Sequence, residues 1–228
     1  MSGRMLLAED LLLLLLHDAS GKPMVDTARL DLALAGAVLL ELATLGKVDV
    51  TGSHDAVKPG RLIVRDGAPT GDAVLDESLR RVVAMGPKKP QSALPTVAKG
   101  LRSELLGRLV GRGLVRLEEG RFLGLIPTRA WPAVDTGHER RLHEGVQAVL
   151  VAGRSPTSTE AALIALIRAV GQVAKVVGDV GVPARELRRR AEAVAAGGFA
   201  PEAVRKAVEA ITAATAAGIA AAAAAAAG

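Results

Sequence analysis

The chain has 228 residues, a formal net charge of +5 and no cysteine. The lack of cysteine excludes disulfides, thiolate metal sites and cysteine nucleophiles, and it fits a reducing compartment. Half of the residues are hydrophobic, yet there are only one tryptophan, two phenylalanines and no tyrosine. Aliphatic side chains therefore have to fill the core, and we predict a single, mainly α-helical domain over residues 1–228.

Hydrophobic patterning in the first half of the chain predicts four helices and two short β segments. The second helix is hydrophobic almost all round, which is typical of a helix in the middle of a core. Asp72 follows the turn Ala68–Gly71 and is a suitable N-cap for the third helix. The first helix is expected at 8–17, and the second follows a cap at Asp26 or Thr27 and contains the apolar run 30–45. The other two helices are expected at 72–84 and 91–112, and the β segments at 47–50 and 62–65.

The second half predicts a β-hairpin followed by further helices. Residues 114–126 contain two short strands around Glu119–Gly120, which favours a hairpin there. Helices are then expected at 136–152, 157–177, 184–195 and from 201 onward. Residues 210–228 are uncharged and mostly alanine, so we predict a terminal helix or tail rather than a membrane anchor. The leucine run 11–16 is too short, and too acidic at its flanks, for a signal peptide.

The sequence contains none of the common catalytic motifs, neither a P-loop, nor a dinucleotide-binding glycine pattern, nor a nucleophile elbow. His138 and His143 lie five residues apart. On a helix this spacing turns the second imidazole about 140° away from the first, whereas the zinc-protease motif needs residues i and i+4. We therefore expect a protein that is not an enzyme and that has no metal ion or cofactor.

Positive charge is concentrated in one stretch of the chain. Between Arg80 and Arg121 ten lysines and arginines face three acids, which gives this stretch a charge of +7. Such a concentration favours an anionic surface, either phospholipid or nucleic acid. A solvated basic face is the alternative explanation.

Two cations within this stretch are unusual in their position. On a continuous helix 91–112, Lys99 and Arg102 would project from the apolar sector beside each other. Burying an unpaired cation is very costly. Either a carboxylate such as Glu41 or Asp76 pairs with them, or the two side chains line a pocket that receives an anion.

Four blocks of residues occur in a characteristic order. They are Leu7–Asp18 followed by Gly21, Gly36–Ala43, Ala68–Asp72 with Leu75–Glu77, and Leu109–Val115 with the hairpin after it. Their order and spacing resemble the Golgi phosphoprotein-three family over roughly residues 6–170. The resemblance implies a helical bundle with a protruding β-hairpin, whose basic face binds phosphatidylinositol 4-phosphate on the cytosolic side of Golgi membranes. It also implies contacts with cytosolic tails of membrane proteins and with vesicle coats.

The resemblance further implies a headgroup site. The family uses an Arg-x-x-Arg pair on the helix before the hairpin, and its counterpart here is Lys99-Gly-Leu-Arg102. The family also uses a tryptophan and an arginine on the second segment, and those positions hold Asp26 and Ala35 in this chain. Arg29 is nearby and is the candidate replacement. The expected headgroup residues are thus Lys99, Arg102 and Arg29, on a peripheral protein in the cytoplasm.

Two other functions stay open at this point. A helix followed by a basic hairpin is also typical of winged-helix DNA-binding proteins. Nucleic acid is disfavoured because the expected recognition helix carries cations in its apolar sector and no short helix-turn-helix precedes it. The other alternative is an interaction scaffold without a lipid role.

The apolar residues of the hairpin lead us to predict self-association. Its distal strand, Arg121–Ile126, contains Phe122, Leu123 and Leu125. A lone two-stranded ribbon is marginally stable, so these apolar residues need the parent bundle, a membrane or a second copy as a surface. The resemblance implies that the hairpin makes oligomer contacts. We therefore predict a homo-oligomer in which these three residues form the contact.

Overall fold

The computed structural model describes residues 4–17, 20–122, 126–197 and 202–227. This part of the chain is mainly helical with two antiparallel strand pairs, which confirms the predicted helical bundle with a β-hairpin. The elements are α1 (Leu7–Leu14), α2 (Thr27–Thr44), β1 (Val48–Val50), β2 (Leu62–Val64), α3 (Ala73–Met85), α4 (Pro90–Ala98), α5 (Leu101–Gly111), β3 (Glu118–Phe122), β4 (Ile126–Ala130), α6 (Gly137–Leu150), α7 (Ser158–Ala169), α8 (Val173–Val177), α9 (Ala184–Ala196) and α10 (Glu202–Ala227).

The helix α2 lies at the centre of the core. Every residue from Ala33 to Ala43 is buried, and α1, α4, α7 and α10 pack around it. The helix begins at Thr27, and Asp26, one of its two predicted caps, accepts a hydrogen bond through its side chain from the backbone N–H of Arg29 at 3.0 Å. That bond satisfies one of the free donors of the first turn.

The Ala-rich C-terminal segment packs against this central helix. A Cβ added at Gly36 of α2 would lie 2.5 Å from Oγ1 of Thr215, which is fully buried in α10. Small residues on both helices therefore permit their close approach. Among the described helices, α10 included, none combines the length and the hydrophobicity that crossing a membrane requires.

The prediction of one continuous fourth helix is wrong, because the chain breaks between α4 and α5. Lys99 is extended with ψ 114°, and Gly100 takes a left-handed φ of 73°. Arg81 of α3 donates from Nη1 to the carbonyl oxygens of Thr96, Val97 and Lys99 at 3.2, 3.1 and 2.6 Å. The last carbonyls of α4 thus find a partner without a further helical turn. The predicted helix 157–177 likewise divides into α7 and α8, at Gly171 with φ 73°.

The hairpin lies further along the chain than predicted. Gly120 pairs with Thr128 in the middle of β3, so the expected turn at Glu119–Gly120 is wrong. The register is set at the base of the hairpin. There the backbone N–H of Arg116 donates to the carbonyl oxygen of Pro132 at 3.1 Å. The connection between β3 and β4 is at residues 123–125, outside the described part of the chain.

The predicted oligomer contact falls largely on these residues. Leu123 and Leu125 lie outside the described residues, and Phe122 is described only through the backbone of β3. The proposed role of the three residues in self-association stays a prediction.

Candidate functional site

Most arginines of the basic stretch are already paired with carboxylates from other parts of the chain. The partners from outside residues 80–121 are Glu9, Asp31, Asp72 and Glu77. In contrast, no described carboxylate forms an ion pair with Lys88, Lys89 or Lys99. The folded protein therefore presents far less free positive charge here than the sequence indicates.

The most buried of these pairings is a junction between α1, α3 and α5. We call it the arginine junction, and it consists of Glu9, Asp72, Arg108 and Arg112. Oε1 of Glu9 accepts from Nε of Arg108 at 3.0 Å and from Nε of Arg112 at 3.2 Å. Oε2 of Glu9 accepts from the backbone N–H of Leu6 at 2.8 Å. Nη1 of Arg108 lies 2.8 Å from Oδ1 of Asp72, which also caps α3. These cations hold three helices together.

A second group of arginines borders an open depression of about 250 Å³ between α2, α5 and the base of the hairpin. We call it the Arg102 depression. Its polar and aromatic side chains come from three different elements, and Leu106 forms a buried part of its wall. The lining residues are Asp31, Ala98, Gly100, Arg102, Ser103, Leu106, Arg129 and Trp131.

Arg102 is held at this depression by two weak internal contacts. Its Nε lies 3.2 Å from Oδ1 of Asp31, and its Nη1 donates to Oγ1 of Thr27 at 3.3 Å. Burial raises the pKa of Asp31, while the positive charge of Arg102 lowers it. The carboxylates suggested by the sequence pair elsewhere, Glu41 with Arg4 and Asp76 with a threonine. Among the described residues, Arg102 therefore has one carboxylate partner, Asp31, with which an incoming anion can compete.

The hairpin brings a tryptophan and an arginine to the same depression. The backbone N–H of Trp131, just after β4, donates to the carbonyl oxygen of Gly21 at 3.0 Å. A Cβ at Gly21 would lie 2.1 Å from the nitrogen of Pro132, and the φ of Gly21 is 59°, so the contact requires glycine. Arg129 pairs with Glu119 across the hairpin at 3.1 Å, and both side chains are mostly exposed. Sequence reasoning missed Trp131 and Arg129, since their only signal is their place at the end of the hairpin.

The three predicted headgroup residues do not meet in one cavity. Lys99 lines a separate cleft of about 420 Å³ together with Glu77, on the other side of Gly100, which borders both spaces. Arg29 lies beside Asp26, with Nε 3.0 Å from Oδ2. It precedes Asp31 by two residues, so the two side chains leave α2 about 200° apart. Only Arg102 of the three borders the depression, and the roles of all three in headgroup binding stay predictions.

The break between α4 and α5 creates a helix-turn-helix before the hairpin. The sequence pattern predicts none there, so this argument against a winged helix does not hold. The charge of α5 nevertheless speaks against DNA. Its arginines pair with carboxylates of α1, of α2 and of the loop before α3. Its exposed residues are Ser103, Glu104, Gly107, Val110 and Gly111. A recognition helix needs donors on that face, and this one offers one acid and no cation.

Two of the four histidines, His138 and His143, make internal side-chain contacts. Nε2 of His138 lies 2.7 Å from Oδ1 of Asp10, and Nδ1 of His143 lies 2.9 Å from a backbone carbonyl oxygen of α8. Burial raises the pKa of Asp10, and its hydrogen bond with His138 lowers it. Within the described ranges no group of three or more His, Cys, Asp and Glu residues is arranged to hold a metal ion.

Comparison with known proteins agrees with this architecture. The sequence profile of the family described as Golgi phosphoprotein 3 (GPP34) matches residues 7–211. A curated relative, vacuolar protein sorting-associated protein 74 of Eremothecium gossypii, is 30% identical over 165 residues, which are 64% of this chain and 49% of that protein. The match thus spans about half the length of this curated relative. The profile covers most of the chain, and the chain therefore belongs to the Golgi phosphoprotein 3 family.

Proposed function

We propose that this chain is a non-enzymatic peripheral membrane protein that binds a phosphate-bearing lipid headgroup, similar to phosphatidylinositol 4-phosphate, at the Arg102 depression. The observation that carries the proposal is the half-exposed guanidinium of Arg102, which borders an open space and has a single carboxylate, Asp31, at 3.2 Å. A guanidinium group can bind two phosphate oxygens at once. These charge-assisted hydrogen bonds are stronger than hydrogen bonds between neutral groups.

The neighbouring cations support binding at a membrane surface. Lys99 is exposed, and no carboxylate within the described ranges pairs with it. It lines the neighbouring cleft, which shares Gly100 with the depression. Each lysine or arginine near an anionic leaflet contributes about 1 kcal/mol of attraction. We assign Lys99 and Arg29 this auxiliary role on the cytosolic face of a membrane.

An adaptor role belongs to the same proposal. The relative from Eremothecium gossypii is named for vacuolar protein sorting. By analogy, this chain would connect the membrane surface with cytosolic tails of membrane proteins.

Vesicle flotation tests the proposal. Phosphatidylcholine vesicles that contain phosphatidylinositol 4-phosphate should carry the wild-type chain upward, and Arg102→Ala should reduce the bound fraction about tenfold, the value of a lost charge-assisted hydrogen bond. Arg189→Ala is the matched control, because Arg189 is an exposed arginine of α9 that pairs with Glu186, three residues before it. Equal flotation of the two variants would refute the role of the depression.

A further inference from the structure

We propose that the hairpin supplies half of the ligand site, with Trp131 as its apolar wall and Arg129 as its second cation. The ligand would then be a phosphate monoester carried on a ring, such as a phosphorylated polyol, and not free phosphate. This inference rests on the proposed function and names the chemistry that the same depression selects.

The first step is the position of Trp131. It is half-buried, lines the depression together with Arg102 and Leu106, and is fixed by the backbone contact with Gly21. A phosphate ion is strongly hydrated and gains nothing from an indole ring. A polyol ring has a C–H face that can pack on the indole, and small-molecule sites usually combine such an apolar wall with a few placed polar groups.

The second step is the availability of Arg129. Its partner Glu119 is 64% exposed and Arg129 itself is 66% exposed. Such exposed ion pairs are weak, so the guanidinium can turn towards another acceptor in the depression that it lines. A phosphate monoester carries a charge of about −1.5 to −2 at neutral pH. Two arginines from different elements match that charge better than Arg102 alone.

The tryptophan also provides the measurement. Trp131 is the only tryptophan and the chain has no tyrosine, so intrinsic emission comes from the depression alone. Titration with glycerophosphoinositol 4-phosphate should give a saturable change in emission. The affinity should be about three- to tenfold higher than for inorganic phosphate, the range expected from one aromatic contact. Equal affinity for the two compounds, or binding by calorimetry without any change in emission, would overturn the inference.

Variants separate the hairpin from Arg102. Trp131→Leu, followed by calorimetry, should remove the preference for the ring-bearing phosphate. Trp131→Phe keeps an aromatic face and should retain part of it. Arg129→Gln should weaken binding about threefold, as expected for one exposed charge contact. Arg116→Gln is the matched control, since Arg116 is an exposed arginine before β3 that pairs with Glu118. Circular dichroism melts verify that each variant is folded.

The outcomes distinguish this inference from the proposed function. If Arg102→Ala loses vesicle binding while the Trp131 and Arg129 variants behave as the wild type, lipid binding stands and the hairpin inference fails. If the wild type ignores phosphoinositide vesicles but its emission still prefers glycerophosphoinositol 4-phosphate over inorganic phosphate, the membrane function fails. The depression is then a site for a soluble phosphorylated polyol, and the role of the hairpin stands.

Discussion

The two ends of α5 place the same side chain in opposite situations. Near its start, Arg102 is 31% exposed and has one carboxylate at 3.2 Å. Towards its end, Arg108 and Arg112 are 21% and 16% exposed, and both bind Glu9, which is completely buried. Arg108 has a second carboxylate, Asp72, at 2.8 Å. One end of the helix faces an open depression and the other forms the arginine junction.

The difference shows that a positive charge in the sequence is not yet a positive charge available to a ligand. An ion pair that is buried and hydrogen-bonded on several sides is costly to break. When one partner is removed, the charge of the other is left buried, without solvent or a counter-charge. A half-exposed pair with one contact contributes little to stability and can exchange its partner. Arg108 and Arg112, towards the end of α5, therefore stabilise the fold. We assign Arg102, near its start, to ligand binding.

The largest effect that this comparison predicts is on stability. Glu9→Gln keeps the size of the side chain but removes the charge that Arg108 and Arg112 share. We expect the free energy of unfolding to fall by about 3 kcal/mol, the lower end for a broken buried pair, since Arg108 retains Asp72. For a chain of this length the midpoint Tm would fall by about 6–12 °C, which a circular dichroism melt measures.

The control for this change is Glu192→Gln, which breaks the exposed pair between Arg168 and Glu192. Its effect should stay below about 1 kcal/mol. Equal Tm values for the two variants would contradict the structural role of the arginine junction.

The next prediction concerns the two arginines directly. Arg108→Ala should lower Tm by several degrees, because it removes the contact with Asp72, the cap of α3, and one of the two arginines that bind Glu9 of α1. Arg102→Ala should change the free energy of unfolding by no more than about 1 kcal/mol. In vesicle flotation below the melting range, Arg108→Ala should bind as the wild type does. Reversed behaviour of the two variants would show that the ends of α5 have been assigned the wrong way round.

The fold was largely predictable because its signals are local. The run of buried aliphatic residues in α2 and the caps Asp26 and Asp72 determine helix positions within a few residues of the chain. The break at Gly100 was missed because the carbonyls of α4 are satisfied by Arg81, which lies on another helix. The register of the hairpin was missed because the pairing at its base, between Arg116 and Pro132, sets it.

The candidate site was only partly predictable for the same reason. Arg102 followed from the helical projection and from the family resemblance, although the projection assumed a continuous helix that the chain does not form. Its partner Asp31 lies 71 positions earlier on α2. Trp131 reaches the depression through a backbone contact with Gly21, more than a hundred residues away. Sequence periodicity reflects neighbours within one helix or strand, so it cannot predict a contact between residues this far apart.

The smallest predicted effect concerns Asp31, which competes with a ligand for Arg102. Asp31→Asn should raise affinity for glycerophosphoinositol 4-phosphate about two- to fivefold, the value of a half-exposed ion pair. Glu144→Gln on α6 removes the same charge at an exposed position and should leave affinity unchanged.

Because burial raises the pKa of Asp31, this carboxyl takes up its proton at a higher pH than a free aspartate. As pH falls through that raised pKa, the wild-type affinity should approach that of Asp31→Asn, and their ratio should approach one. Protonation of the phosphate affects both proteins equally and cancels in the ratio. Weaker binding by Asp31→Asn would show instead that Asp31 orients the guanidinium for its ligand.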